Sequence, residues 1–162
     1  MNFKNFKIDF KNKSVQALIL APTRELAQQV ENEIGTLGKY TGVKSTTIYG
    51  GTSYEKQIRA LKVDRPIIVV GTPGRVIDMI AKGFLKLQDA KFCVLDEADE
   101  MLNMGFYEDV LDILKMFNKE RQLVMFSATM LAKIRKFASR ILNNTSEINS
   151  AVSKPSDKIR PI

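Results

Sequence analysis

Short apolar runs alternate with stretches of helical spacing along this chain. Residues 17–20, 45–49, 66–70, 92–95 and 122–126 form strand-like segments, three of them continuous apolar runs rather than alternating ones. Continuous runs suit strands buried on both faces of a sheet. Between them, Arg24–Leu37 carries Leu26, Val30, Ile34 and Leu37 at helical spacing, with Gly38 as a stop. Thr52 and Glu55 predict a capping box for a helix running through Ile58 and Leu61. Pro73 and Gly83 bracket Val76, Ile77, Ile80 and Ala81, placing proline near a helix start and glycine past its end. Phe106, Val110, Ile113, Leu114 and Phe117 define a further helix, and Leu131, Ile134, Phe137, Ala138 and Ile141 another. Strands alternating with helices predict an α/β fold, a parallel β-sheet flanked by helices. After Leu142 the chain turns polar, offers a strand candidate at 147–152, and runs out through Ser153, Lys154, Pro155, Ser156 and Asp157.

Composition narrows the chemistry. A length of 162 residues, 44% of them hydrophobic, suits one globular domain with a real core. No apolar run is long enough to cross a bilayer and no basic-then-apolar leader is visible, so no membrane partner is expected. The lone Cys93 lies mid-strand and reads as a buried thiol; with no histidine, His/Cys zinc sites and histidine-based nucleophilic triads are excluded. Carboxylates, hydroxyls, Lys/Arg and backbone amides must carry any reaction. The net charge of +7 is concentrated at the ends: residues 1–13 hold four Lys/Arg against one acid, and residues 131–162 seven against two. That excess favours non-specific attraction to a polyanion without arguing for a specific site.

Each apolar run stops in a polar cluster. Pro22-Thr23-Arg24-Glu25-Leu26-Ala27 follows the first, Gly50-Gly51 the second, Thr72-Pro73-Gly74-Arg75 the third, Asp96-Glu97-Ala98-Asp99 the fourth and Ser127-Ala128-Thr129 the fifth. A parallel sheet binds its ligands at the carboxyl ends of its strands. Two acids there can hold a magnesium ion and orient water against a phosphate. Glycines let backbone approach a ligand, and a helix opened by Thr72-Pro73-Gly74-Arg75 presents free amides to an anion. The alternative is that acids and hydroxyls cap helices, Pro73 and Gly74 start one, and Gly50-Gly51 turns the chain; for Ser127 and Thr129 both readings stay open.

The five clusters, in this order and each after a strand, closely resemble the first RecA-like lobe of DEAD-box RNA helicases, from about Ile8 to about Val152. The extension from Glu100 to Phe106 also looks like the family. The resemblance implies an ATP-dependent RNA helicase, in which RNA-stimulated ATP hydrolysis drives duplex unwinding or remodelling, with ATP and Mg2+ as cofactors and a cytoplasmic setting. It implies that Asp96 reaches magnesium through water and that Glu97 positions or deprotonates the attacking water. Asp99 would link this site to Ser127 and Thr129. Pro22, Thr23, Arg24, Glu25, Gly50, Gly51, Thr72, Pro73, Gly74 and Arg75 would face RNA, through contacts blind to base sequence.

A lobe of this kind needs a glycine-rich phosphate loop with its lysine upstream of Pro22, yet the first glycine here is Gly35. The adenine-reading segment and the second lobe, with an arginine finger worth roughly 10³–10⁵ in rate, are not found either. The expectation is therefore a RecA-like P-loop NTPase lobe without its phosphate-loop strand, inactive by itself. It would comprise a basic extension at 1–13, a partial lobe at 14–152 and an exit linker at 153–162. Loss of that strand would leave 122–126 with an open backbone edge, and an edge-strand dimer is one expected consequence. Rival readings are a non-enzymatic RNA-binding or scaffolding module derived from such a lobe, a DNA translocase lobe, and a metal-dependent phosphatase using Asp96, Glu97 and Asp99.

Overall fold

The computed structural model describes residues 7–142. The strand candidate at 147–152 and the exit linker lie outside them. Five parallel strands, β1 (Ala17–Leu20), β2 (Ser45–Ile48), β3 (Ile68–Gly71), β4 (Phe92–Leu95) and β5 (Gln122–Met125), form one sheet in the order β2-β3-β1-β4-β5. The register places Leu20 opposite both Gly71 and Leu95, Ile48 opposite Gly71, and Leu95 opposite Met125. All five strands thus end in one row, so the polar residues that follow them emerge along a single edge.

Alternation along β1 divides the core. Leu18 and Leu20 are fully buried in the larger cluster with Val76 and Met79 of α3 (Pro73–Ala81) and Val110 and Ile113 of α5 (Tyr107–Lys115). On the opposite face Ile19 packs in a smaller cluster with Leu26, Val30 and Ile34 of α1 (Arg24–Leu37). The first and last expected helices form as α1 and α6 (Ala132–Ile141), and Gly38 ends α1 by donating its N–H to the Ile34 carbonyl at 2.8 Å.

Several local expectations are corrected. The Thr52–Glu55 capping box does not form: Ser53 occupies the N-cap of α2 (Tyr54–Arg59), and no side chain caps it. Thr52 Oγ1 instead accepts from Gln57 Nε2 at 2.8 Å, so the hydroxyl serves the turn rather than the helix end. The α-helix also stops before Leu61; residues Ala60–Asp64 continue as a π-helical turn that buries Leu61, leaves Val63 exposed and ends at Arg65 with φ 47°. A short helix, α4 (Ala98–Asn103), begins within the acidic cluster and takes Asp99 into its first turn; no helix was expected over this stretch. The continuous apolar character of β4 overstates its burial: Cys93 and Leu95 are buried, whereas Phe92 and Val94 on the other face are half-buried. β5 is the least buried strand, and β4 is its only strand neighbour among the described residues.

Residues 9–16, just before β1, are tied together through one side chain. The buried Gln16 accepts from the Asp9 N–H at 2.7 Å and donates to the Asp9 and Asn12 carbonyls at 2.6 and 2.9 Å. Cys93 is buried, as its neighbours implied, and burial pushes its thiol up to about 12 from 9.0, with Arg121 offsetting part of the rise. It stays neutral and unreactive at physiological pH.

Candidate functional site

The acidic cluster sits where β4 leaves the sheet. The Asp96 N–H donates to the Leu20 carbonyl at 2.9 Å, fixing the backbone at the strand end. Glu97 follows in the left-handed region, with φ 49° and ψ 54°, at the N-cap of α4. That conformation costs a glutamate on the order of 1–3 kcal/mol, and such strain concentrates at functional positions. Glu97 makes no side-chain cap bond, so helix capping does not account for it. Neither the Asp96 nor the Glu97 carboxylate has a hydrogen-bond or ion-pair partner among the described residues, and both are half-exposed. A half-exposed carboxylate at a sheet edge suits a hydrated cation, since magnesium binds through one or two carboxylates while keeping several of its waters. No group of three or more His, Cys, Asp or Glu that could hold a metal ion exists among the described residues.

Asp99 connects this corner to the loop after β5. Its Oδ2 accepts from Thr129 Oγ1 at 3.2 Å, and the Ala98 N–H donates to the Phe126 carbonyl at 2.9 Å. Ser127 does not reach Asp99; its hydroxyl donates to the Thr129 carbonyl at 2.8 Å and shapes the loop. Of the two expected hydroxyl partners, only Thr129 touches the acid. The two loops are nevertheless one hydrogen-bonded unit.

The other clusters line the same edge toward β2. Pro22 is buried, and Thr23 caps α1 by accepting from the Leu26 N–H at 3.3 Å, a bond worth about 1 kcal/mol. Arg24 and Glu25 are exposed, and the Arg24 guanidinium rests 4.9 Å from the Tyr49 ring centre with no ion pair among the described residues. Gly51 has φ 79°, which a turn there requires. Gly50 and Gly74 are different. Neither has a positive φ, and a Cβ built on either would meet nothing within 4 Å. Nothing in the described fold excludes a side chain at these two positions; close approach by something external would.

Thr72 caps α3 only with its backbone, leaving its hydroxyl unused in capping, and Pro73 is buried at the first turn. Arg75 turns inward. Its Nη1 and Nη2 each donate to the Thr52 carbonyl at 3.3 Å, and Nη1 also donates to Gln57 Oε1 at 3.1 Å. Gln57 was not singled out from the sequence. It is buried, and its Nε2 donates to the Tyr49 carbonyl at 2.9 Å as well as to Thr52, tying the end of β2, the Gly51 turn and α3 together. Its signal was a polar residue three after Tyr54 and four before Leu61, on the apolar stripe of α2. Arg24, Thr46, Thr47, Tyr49, Thr52 and Lys56 are among the residues lining an open cleft of about 510 Å³ beside β2, rich in hydroxyls and bearing two cations.

Comparison with known proteins bears on this geometry. The family model described as DEAD/DEAH box helicase matches residues 3–137. The chain is 53% identical over 137 residues to the DEAD-box ATP-dependent RNA helicase CshA of Geobacillus kaustophilus, covering 85% of this chain and 29% of that protein. It is 51% identical over 138 residues to the ATP-dependent RNA helicase CshA of Listeria monocytogenes, covering 85% and 26%. The crystal structure of a DEAD box protein from the hyperthermophile Methanococcus jannaschii superposes with a TM-score of 0.79 at 48% identity, covering 84% of this chain and 37% of that one. The chain thus spans less than a third of the length of these two bacterial relatives.

Proposed function

Because this chain belongs to the DEAD/DEAH box helicase family, we propose that it serves as part of the amino-terminal RecA-like lobe of an ATP-dependent RNA helicase, working with a second lobe in the cytoplasm. The observation that supports this reading best is the shared edge. The strands end in one row, so that Arg24, Gly50, Gly51 and Thr72–Arg75 stand at one end of it and Asp96, Glu97 and Asp99 toward the other. A nucleic-acid strand and a nucleotide can therefore be held by one rigid sheet.

Bound ATP and Mg2+ would supply the phosphoryl group and the charge compensation that its transfer needs. Asp96, whose carboxylate has no partner among the described residues, would hold the hydrated cation through water. Glu97, whose carboxylate projects from a strained backbone, would orient the attacking water and accept its proton. Asp99, through Thr129, would report the state of this corner to the loop after β5. Arg24 would contact RNA phosphate, while Gly50, Gly74 and the open amides at the start of α3 would let the RNA backbone approach closely.

Titration of fluorescein-labelled single-stranded RNA into the chain tests the RNA half of this reading. Binding should be weak, indifferent to base sequence and steeply salt-dependent. Arg24→Ala should weaken it and lower the slope of log K against log salt by about 0.7, the loss of one phosphate contact on a single strand. A variant that overlays the wild type at low salt would remove Arg24 from the interface, and equal affinity for DNA of the same sequence would favour the DNA-translocase reading.

We also propose that the outer edge of β5 accepts a further strand, in the isolated chain from a second copy. It lacks an outer neighbour among the described residues, and Phe126 beside it is 57% exposed. Such edges invite pairing. Sedimentation velocity should show a dimer; a monomer whose 123–125 amides exchange freely would refute the pairing.

A further inference from the structure

The two arginines of the expected RNA-facing edge are in opposite states. Arg24 is exposed, with its fork of donors unpaired among the described residues. Arg75 is half-buried, and its fork is taken up by the Thr52 carbonyl and Gln57 Oε1. A phosphate reaching Arg75 would have to compete with those acceptors.

Tyr54, the first residue of α2, explains why Arg75 holds this pose. The guanidinium carbon lies 3.9 Å from the centre of the Tyr54 ring. The Tyr54 hydroxyl donates to the Asp78 carboxylate. Lys82 Nζ stands 4.1 Å from the same ring centre and 3.3 Å from Asp78 Oδ2. Arg75, Asp78 and Lys82 fall at i, i+3 and i+7 of the segment that forms α3 and its C-cap, so they share one face, and Tyr54 lies against it. The Tyr54 hydroxyl first, and then Lys82 and Arg75, hold the Asp78 carboxyl below its ordinary 3.8, so it remains charged at neutral pH. Apart from the Lys82–Asp78 ion pair, every contact in the cluster joins residues 52–57 to α3 or its C-cap, and none requires a ligand.

We infer that Tyr54 and Arg75 are positioning residues for RNA: they clamp the Gly51 turn against the start of α3, and they act through that backbone rather than on phosphate. The inference rests on the RNA-binding reading above. A lysine does not replace Arg75: one ammonium could reach Thr52 O and Gln57 Oε1 as Nη1 does, but it has neither the second nitrogen that also donates to Thr52 O nor a planar face to lay against the Tyr54 ring.

The test uses the full 162-residue chain with two readouts. Hydrogen exchange reports the turn without RNA. Tyr54→Leu and Arg75→Lys should each speed exchange of the 50–53 amides while β1 and β3 stay protected, and Tyr54→Phe, which keeps the ring, should show much less of the effect. Anisotropy titration of a fluorescein-labelled uridine 20-mer, from roughly 50 to 200 mM KCl, reports the consequence. Tyr54→Leu and Arg75→Lys should raise Kd by roughly 3–10-fold with the salt slope unchanged, in contrast to Arg24→Ala, which should lower it.

Unchanged exchange at 50–53 in Arg75→Lys overturns the clamp whatever RNA does. Wild-type affinity in Arg75→Lys, or an Arg75→Ala slope that falls as far as that of Arg24→Ala, also overturns it by making Arg75 a direct phosphate ligand. Faster exchange in the two variants, alongside a wild type that shows no salt-dependent RNA binding, would leave the turn clamped but sink the RNA reading, and with it the positioning role.

Discussion

Glu97→Gln, placed in a two-lobed helicase carrying this lobe, should slow RNA-stimulated ATP hydrolysis by roughly 10²–10⁴ while leaving ATP binding and the melting temperature close to wild type. The asymmetry follows from what the substitution removes. Glutamine keeps the size of the side chain and suits the left-handed backbone at φ 49° about as well as glutamate does. It loses only the carboxylate, which has no partner among the described residues and so contributes little to holding the fold. The carboxylate is half-exposed, stands on a strained backbone and has no partner among the described residues, so it is available to a ligand. Single-turnover hydrolysis, with nucleotide affinity measured separately by a fluorescent analogue, checks the two halves. Hydrolysis at the unmutated rate would dismiss Glu97 as the water-orienting base. Glu97→Gly supplies an independent check, because glycine relieves the backbone strain: it should be equally inactive and no less stable.

The sheet was legible because its signal is physical and local. An apolar run of β-branched and aliphatic residues ending in Gly, Pro or acids has few other ways to be buried; three of the five segments are such runs, and all five became strands within one or two residues of the expected bounds. The row of strand ends was legible too, since a parallel register follows from strands separated by helices. What the pattern could not carry was anything decided between side chains distant in sequence. Thr52 and Glu55 have the spacing of a capping box, but the buried Gln57 offers Thr52 a better partner and moves the helix start to Ser53. The stretch Ala98–Asn103 has only Met101 and Leu102 as large apolar residues, too few for a periodicity, and becomes helical because both are buried against the core.

The candidate site divides in the same way. That Asp96, Glu97 and the glycines stand at the carboxyl edge of the sheet follows from sequence order alone. Which hydroxyl meets Asp99 does not: Thr129 and Ser127 are equally placed in the sequence, and the turn of the loop gives the contact to Thr129. Nor could the sequence separate Arg24 from Arg75, two cations after strand ends, one facing outward and the other folded under Tyr54.

Gly71 shows how tightly the edge is tied to the core beneath it, and Gly71→Ala should lower stability by about 1–3 kcal/mol. The glycine ends β3, lying opposite both Leu20 and Ile48. A Cβ there would stand 2.4 Å from Val76 Cγ2 and 2.8 Å from the Ile48 carbonyl oxygen. Val76 is fully buried and has little room to retreat, and the Ile48 carbonyl already accepts from the Thr72 N–H at 3.0 Å. Relief therefore requires α3 to lift from β2, carrying Thr72–Arg75 away from the Gly51 turn. For a chain of this size each kcal/mol lost should lower the melting temperature by roughly 2–4 °C. Adding Val76→Ala removes the side-chain half of the clash but leaves the backbone half, so the double variant should recover less than its volumes alone suggest. A double-mutant cycle gives that coupling. Gly71→Ala melting at the wild-type temperature would show that α3 is free to move, and that the edge is held less rigidly than the contacts at Gly71 imply.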